Sequence, residues 1–127
     1  LRREVDQVVL DLTKGDKAWH IPNGDTPDSV KNHPALQGVD LPRTGKRSHA
    51  NVLTTKSLLY YAEGRRGAPI LHAVDKASGE ELGEFELPAP GNTAPMTYMH
   101  DGVQYIIVSV GGPGNPGEFV ALRLEEE

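Results

Sequence analysis

Two segments of this chain carry the same spaced residues: Asp11 and Asp75, Gly15 and Gly79, and Trp19 and Gly83 all stand 64 positions apart. In each copy an apolar run ends in Asp, three residues follow, and Gly closes a turn. A second strand-like run then leads to a proline, Pro22 or Pro88. Asp accepts hydrogen bonds from amides just beyond it, and Gly adopts the positive φ that a tight hairpin needs. A decayed third copy starts at Val120-Ala121-Leu122-Arg123-Leu124. Strand pairs repeating at this spacing point to four-stranded units stacked around an axis, the architecture of a β-propeller.

The rest of the chain agrees with an all-β, partial propeller. Short β-rich runs bounded by turn residues fall at 7–12, 18–21, 50–54, 57–62, 70–74, 82–87, 95–99, 103–110 and 119–124. The 14 Gly and 10 Pro punctuate them, and the best helical stretch, 26–36, is broken by Pro27 and Pro34, leaving one turn at 28–32. Taken in order, residues 1–22 are expected to be the last two strands of one blade, 23–49 a long inter-blade loop, 50–90 a complete blade, and 91–127 the first three strands of another. The run 103–110 is apolar on both faces, which suits a strand covered on both sides. Up-and-down order sends the tight turns to one face. Segments 23–49, 63–69, 88–94 and 111–117 go to the other, where function is expected.

Composition excludes several functions. With 18 acidic against 13 basic residues, the net charge of −5 disfavours nucleic-acid binding. The absence of Cys excludes disulfides and thiolate metal sites, and no apolar run is long enough to span a bilayer as a helix. Leu1-Arg2-Arg3-Glu4-Val5-Asp6 reads as neither a start nor a signal peptide, so the chain is expected to begin inside something larger.

Gly112-Pro113-Gly114-Asn115-Pro116-Gly117 matches G-x-G-x-x-G in form, but a dinucleotide site also needs a helix behind it. A strand-to-strand loop that lets backbone approach a ligand fits better. His20, His33, His49, His72 and His100 show no metal-ligand spacing among themselves. His33 and His49 belong to the long loop, where they are candidate polar contacts. Asp25, Asp28 and Asp40 read as turn residues, and Arg43, Lys46 and Arg47 as a possible anion contact. Trp19 is expected to pack between blades, Ser48 and Ser109 lack a nucleophile's context, and 125–127 reads as a solvated tail.

The Asp11-x-x-x-Gly15-x-x-x-Trp19 pattern resembles the tryptophan-docking motif of quinoprotein dehydrogenases, eight-bladed propellers that use pyrroloquinoline quinone (PQQ). The stretch from Pro95-Met96-Thr97-Tyr98 through Gly102-Val103-Gln104-Tyr105 to Gly111-Gly112 resembles the C-terminal region of that family, above all its membrane-bound glucose dehydrogenase branch. The resemblance implies oxidation of an alcohol or aldose sugar by hydride transfer to PQQ beside a Ca²⁺ ion, with electrons passed to a membrane quinone or a cytochrome. It implies a periplasmic or secreted protein, with the base and the Ca²⁺ ligands in earlier blades. No catalytic or metal residue is therefore expected in this chain, and the isolated chain is expected to be inactive and to hold neither group. The expected rim of the cofactor and substrate pocket is Gly111, Gly112, Pro113, Gly114, His33, Arg43 and His49. Pro113 departs from the family, which often has Trp or His there. The expected partners are the remaining blades, and open blade edges are expected to make the chain self-associate. A non-catalytic propeller serving as a binding platform is the alternative.

Overall fold

A computed structural model of the chain describes residues 6–123, so the acidic tail and Leu124 of the third copy lie outside the described residues. Among the described residues, nine strands form three antiparallel sheets of consecutive neighbours. The first pairs β1 (Asp6–Asp11) with β2 (Asp16–Pro22). The second runs β3 (Asn51–Thr54), β4 (Leu58–Ala62), β5 (Ile70–Asp75), β6 (Glu81–Glu86). The third runs β7 (Met96–His100), β8 (Val103–Gly112), β9 (Asn115–Arg123). Between β2 and β3 lie the single-turn α1 (Asp28–Lys31) and a 3₁₀ turn at Pro34–Leu36 that the sequence reading lacks.

The repeat is exact in backbone detail. Asp11 Oδ1 accepts from the amides of Thr13 and Lys14, and Asp75 Oδ1 from those of Ala77 and Ser78. Gly15 and Gly79 then donate back to the carbonyls of Asp11 and Asp75 at 2.8 and 2.9 Å, with φ of +69° and +79°. Each hairpin also carries a bulge at the same repeat position. Val9 faces Trp19 and Leu10 faces Lys17, leaving Ala18 extra; Ala73 faces Gly83 and Val74 faces Glu81, leaving Leu82 extra.

Side-chain alternation along the central sheet serves two interfaces. Leu59, Tyr61 and Val74 pack against Val9, Trp19 and Ile21 of the first sheet. Ala62 and Leu71, with Leu87 and Ala89 beyond β6, pack against Ile106, Val108 and Val110 of the third. Trp19 is the bridging residue of the first interface. Its Nε1 donates to Lys76 O at 3.0 Å, and its ring lies where a Gly79 side chain would be, 2.7 Å from an added Cβ.

Two expectations are corrected. Segment 111–117 is not a long loop: β8 runs to Gly112, β9 starts at Asn115, and Pro113-Gly114 form a two-residue turn with Gly114 at φ +81°. Pro116 is tolerated inside β9 because that strand pairs only with β8 among the described residues. The run 103–110 is not covered evenly: Ile106, Val108 and Val110 are buried against the central sheet, while Tyr105, Ile107 and Ser109 are only partly covered. No further described sheet lies on that side.

Gly15 and Gly79 make a matched pair. Gly15→Ala meets no atom within 4 Å and should lose only the left-handed backbone term, about 1–2 kcal/mol. Gly79→Ala adds the collision with Trp19 and should cost a further ~1–3 kcal/mol. Urea unfolding of both variants checks the ranking, and equal losses would disprove the docking role of Gly79.

Candidate functional site

Strand direction places the long connections, 23–50, 63–69 and 87–95, at one end of the sheets, together with the Pro113-Gly114 turn. The β2–β3 connection is closed at its base. Lys46 N donates to Asn23 O at 2.7 Å, Thr44 N donates to Thr26 Oγ1 at 3.0 Å, and Asn23 Nδ2 reaches Glu63 O at 3.3 Å. These bonds hold the connection over the β4–β5 turn and leave a cleft of about 470 Å³ whose lining includes Asp25, Lys31, Arg43, Lys46, Glu63 and His72.

At the floor of the cleft is a charged cluster on the central sheet. His72 is 2% exposed, on β5. Its Nε2 bonds Glu63 Oε1 at 3.0 Å, and its Nδ1 bonds Glu81 Oε1 of β6. Glu84 Oε1 lies 3.5 Å from the same Nδ1. Glu63 is held from behind by the amide of Ala68, 2.7 Å from Oε2. Arg43 lies 3.3 Å from Glu81 Oε2 and donates to Pro22 O at 3.2 Å. The Tyr61 ring stacks on His72 with centroids 4.5 Å apart and planes 12° from parallel.

The β6 bulge creates this arrangement. His72 and Glu84 are direct cross-strand partners and share a face. Glu81, three residues before Glu84, would point to the opposite face in a regular strand. The extra Leu82 turns it back beside Val74, on the His72 face.

Burial disfavours the charged forms of all three bonded groups, but their mutual hydrogen bonds outweigh it. Glu63 and Glu81 are held below the usual carboxylate range, chiefly by His72, and His72 is raised by Glu63 and then Glu81. The Tyr61 hydroxyl is pushed up, by burial first and then by the charge of Glu81.

The expected rim residues scatter over this end of the molecule. Only Arg43 lines the cleft. His33 is exposed and caps the 3₁₀ turn by accepting from Ala35 N, and His49 is exposed. Pro113 and Gly114 form an exposed hairpin tip. Gly111 is buried at φ +153°, and its amide donates to Pro90 O at 3.1 Å. An added Cβ there would lie 3.1 Å from the Asn92 amide and from Gly117 Cα. With the Asn92 amide oriented to satisfy both groups, it bridges the N–H and carbonyl of Gly111 at 3.2 Å each. The sequence reading missed Glu63, Tyr61, Glu81 and Glu84. One signal was available: His72 is the lone titratable residue inside the apolar run Ile70-Leu71-His72-Ala73-Val74.

Residues 6–106 match the family described as glucose/ethanol/alcohol dehydrogenase, β-propeller domain, of the PQQ type. The chain is 30% identical over 108 residues to quinoprotein glucose dehydrogenase A of Acinetobacter calcoaceticus, covering 85% of this chain and 13% of that protein. It is 30% identical over 110 residues to a probable quinate dehydrogenase (quinone) of Xanthomonas campestris pv. juglandis, covering 82% of this chain and 13% of that protein. A 47-residue stretch is 45% identical to quinoprotein glucose dehydrogenase of Escherichia coli, covering 37% of this chain and 6% of that protein. The chain thus spans a small part of the length of these relatives. Its three interlocked antiparallel sheets, its Asp–Gly turns and these matches together make it a member of the PQQ-dependent glucose/ethanol/alcohol dehydrogenase β-propeller family.

Proposed function

We propose that this chain is the C-terminal part of a quinoprotein dehydrogenase. The whole protein would oxidise an alcohol or aldose sugar and pass the electrons to a membrane quinone or a cytochrome, in the periplasm or outside the cell. The observation that carries this reading is the pinned end of β8. Asn92 and Pro90 hold Gly111, so that Gly112, Pro113 and Gly114 project beyond the first residue of β7, past the 90–92 segment that leads into it. In a propeller the first strand of each blade lines the channel, and this is the end where the resemblance places the cofactor.

The chain's own residues would form a rim there and leave proton transfer to others. Ser48, His49, Asn51, Asn92 and Thr93, at the entrances to β3 and β7, include no carboxylate. They do not fit a Ca²⁺ site, so the ion and the quinone would be held by blades outside this chain. Pro113 has neither a donor nor a titratable group, so it could only shape the pocket and exclude water. Bound PQQ supplies the hydride acceptor, and the protein's part is positioning. The test is dye-linked oxidation of aldoses, quinate and simple alcohols by the full-length protein reconstituted with PQQ and Ca²⁺. PQQ-dependent turnover on at least one substrate is expected. No turnover together with no PQQ binding would overturn the reading in favour of a binding platform.

The isolated chain is also proposed to self-associate. β1 pairs only with β2 and β9 only with β8 among the described residues, and Val8, Leu10 and Phe119 on these edges are 52%, 61% and 79% exposed. Open apolar edges recruit further strands. Light scattering should show dimers or larger species that grow with concentration, and a clean monomer throughout would refute the proposal.

A further inference from the structure

The cluster beneath the cleft has the makings of a metal site that no histidine spacing discloses. One nitrogen and two carboxylate oxygens, from His72, Glu81 and Glu84, lie within 4.8 Å of one another. Four-coordinate ligands at zinc-type bond lengths of about 2.0–2.2 Å sit roughly 3.3–3.5 Å apart. The 3.5 Å between His72 Nδ1 and Glu84 Oε1 already matches. Glu81 Oε1 now occupies the hydrogen-bonding position on Nδ1, and a small outward movement would admit an ion between them.

Outer contacts of the right kind are present. A metal-bound histidine typically donates its other ring N–H to a carboxylate. Here Glu63 takes that role at Nε2, itself fixed by Ala68 N. Arg43 holds the other oxygen of Glu81, leaving Oε1 for the shared point. With His72 as the neutral ligand, the three carboxylates outnumber the two cations beside them, Arg43 and the Lys46 that acts on Glu63, and a divalent cation would take the place of the proton His72 shares with Glu81.

A separate observation points to a missing ligand. Tyr61 is 0% exposed, and its hydroxyl has no hydrogen-bond partner. The ring stacks on His72, the charges of Glu81 and Glu63 bear on the hydroxyl, and the Arg43 side chain approaches it without completing a hydrogen bond. A buried hydroxyl facing a polar cluster without a partner is uncommon and calls for a bound water or ion. A cation with a water in its fourth position would supply one.

We propose that His72 Nδ1, Glu81 and Glu84 bind a divalent transition cation of the zinc class, with Glu63 and Arg43 orienting the ligands and a fourth position open to the cleft. A ring nitrogen with only two carboxylates suits Zn²⁺ over Ca²⁺ or Mg²⁺, which prefer larger all-oxygen shells.

The test uses the full chain, stripped with a chelator and titrated calorimetrically with ZnCl₂, CaCl₂ or MgCl₂ at neutral pH. One Zn²⁺ per chain is expected, bound at least ten times more tightly than Ca²⁺ or Mg²⁺, and Co²⁺ should give the visible absorption of a four-coordinate site. His72→Gln should abolish tight binding. Because that change alters a buried residue, Glu84→Gln is the second variant: Glu84 is 55% exposed, and its loss should weaken Zn²⁺ binding at least tenfold with the fold unchanged by circular dichroism. His33→Gln and His100→Gln should leave the affinity unaltered. Absence of binding by the folded chain, a preference for Ca²⁺, or undiminished affinity in Glu84→Gln would each overturn the proposal.

Discussion

The contact between the Trp19 indole and the Asp75–Gly79 turn couples local chemistry to the whole assembly. The turn is self-sufficient, since Asp75 caps its amides and Gly79 supplies the left-handed residue. It thereby presents Lys76 O and a surface without a side chain at Gly79, and an indole from another sheet fills both needs. That one contact sets the spacing of the first interface, and Leu59, Tyr61 and Val74 then close on Val9 and Ile21. It also fixes where β2 ends, and therefore where the β2–β3 connection begins its passage over Glu63.

The second interface is built differently. Gly83 stands at the repeat position of Trp19, and an added Cβ there would meet nothing within 4 Å. No indole joins the second and third sheets, and the apolar contact is correspondingly broader. Ile106, Val108 and Val110 meet Ala62, Leu71, Leu87 and Ala89, flanked by Leu53, Tyr60, Val120 and Leu122. Burial of area substitutes here for a specific hydrogen bond. The Asp–Gly turn is the constant part of the repeat, and the side chain that docks into it can be exchanged for a wider apolar contact.

The sequence disclosed what depends on residue type at short range and concealed what depends on register. Asp11, Gly15, Asp75 and Gly79 announce their turns because few other residues can form them. The strands follow from β-branched runs between those turns. Ala18 and Leu82 look like ordinary strand residues, yet each is the extra residue of a bulge. Nothing in their chemistry says so, because a bulge is settled by how two strands align. Regular alternation would put Glu81 and Glu84 on opposite faces, so the cluster on His72 is invisible without the bulge. The stretch from Gly111 to Gly117 erred the other way. Its Gly and Pro content suggested a loop, although an edge strand has no partner on one side for Pro116 to disappoint.

The two faces of the central sheet also differ in what they cost. The face toward the third sheet packs through apolar side chains, Ala62 and Leu71 against Ile106, Val108 and Val110 of β8. The face toward the first sheet begins with Leu59 and Val74, passes through the Tyr61–His72 stack, and ends in buried charge at His72 and Glu63. Apolar residues of the same volume would avoid the desolvation of those ions, and buried pairs often add little stability over such replacements. Stability alone therefore gives a poor account of Glu63, His72 and Glu81 at an interface that Trp19 already secures. Specificity gives a better one. The charges face the β2–β3 connection, from which Arg43 reaches Glu81 and Asn23 reaches the Glu63 carbonyl. The pairing of Arg43 with Glu81 accordingly adds a charged tie to the bonds at Asn23, Thr44 and Lys46 that already hold the connection over the cleft.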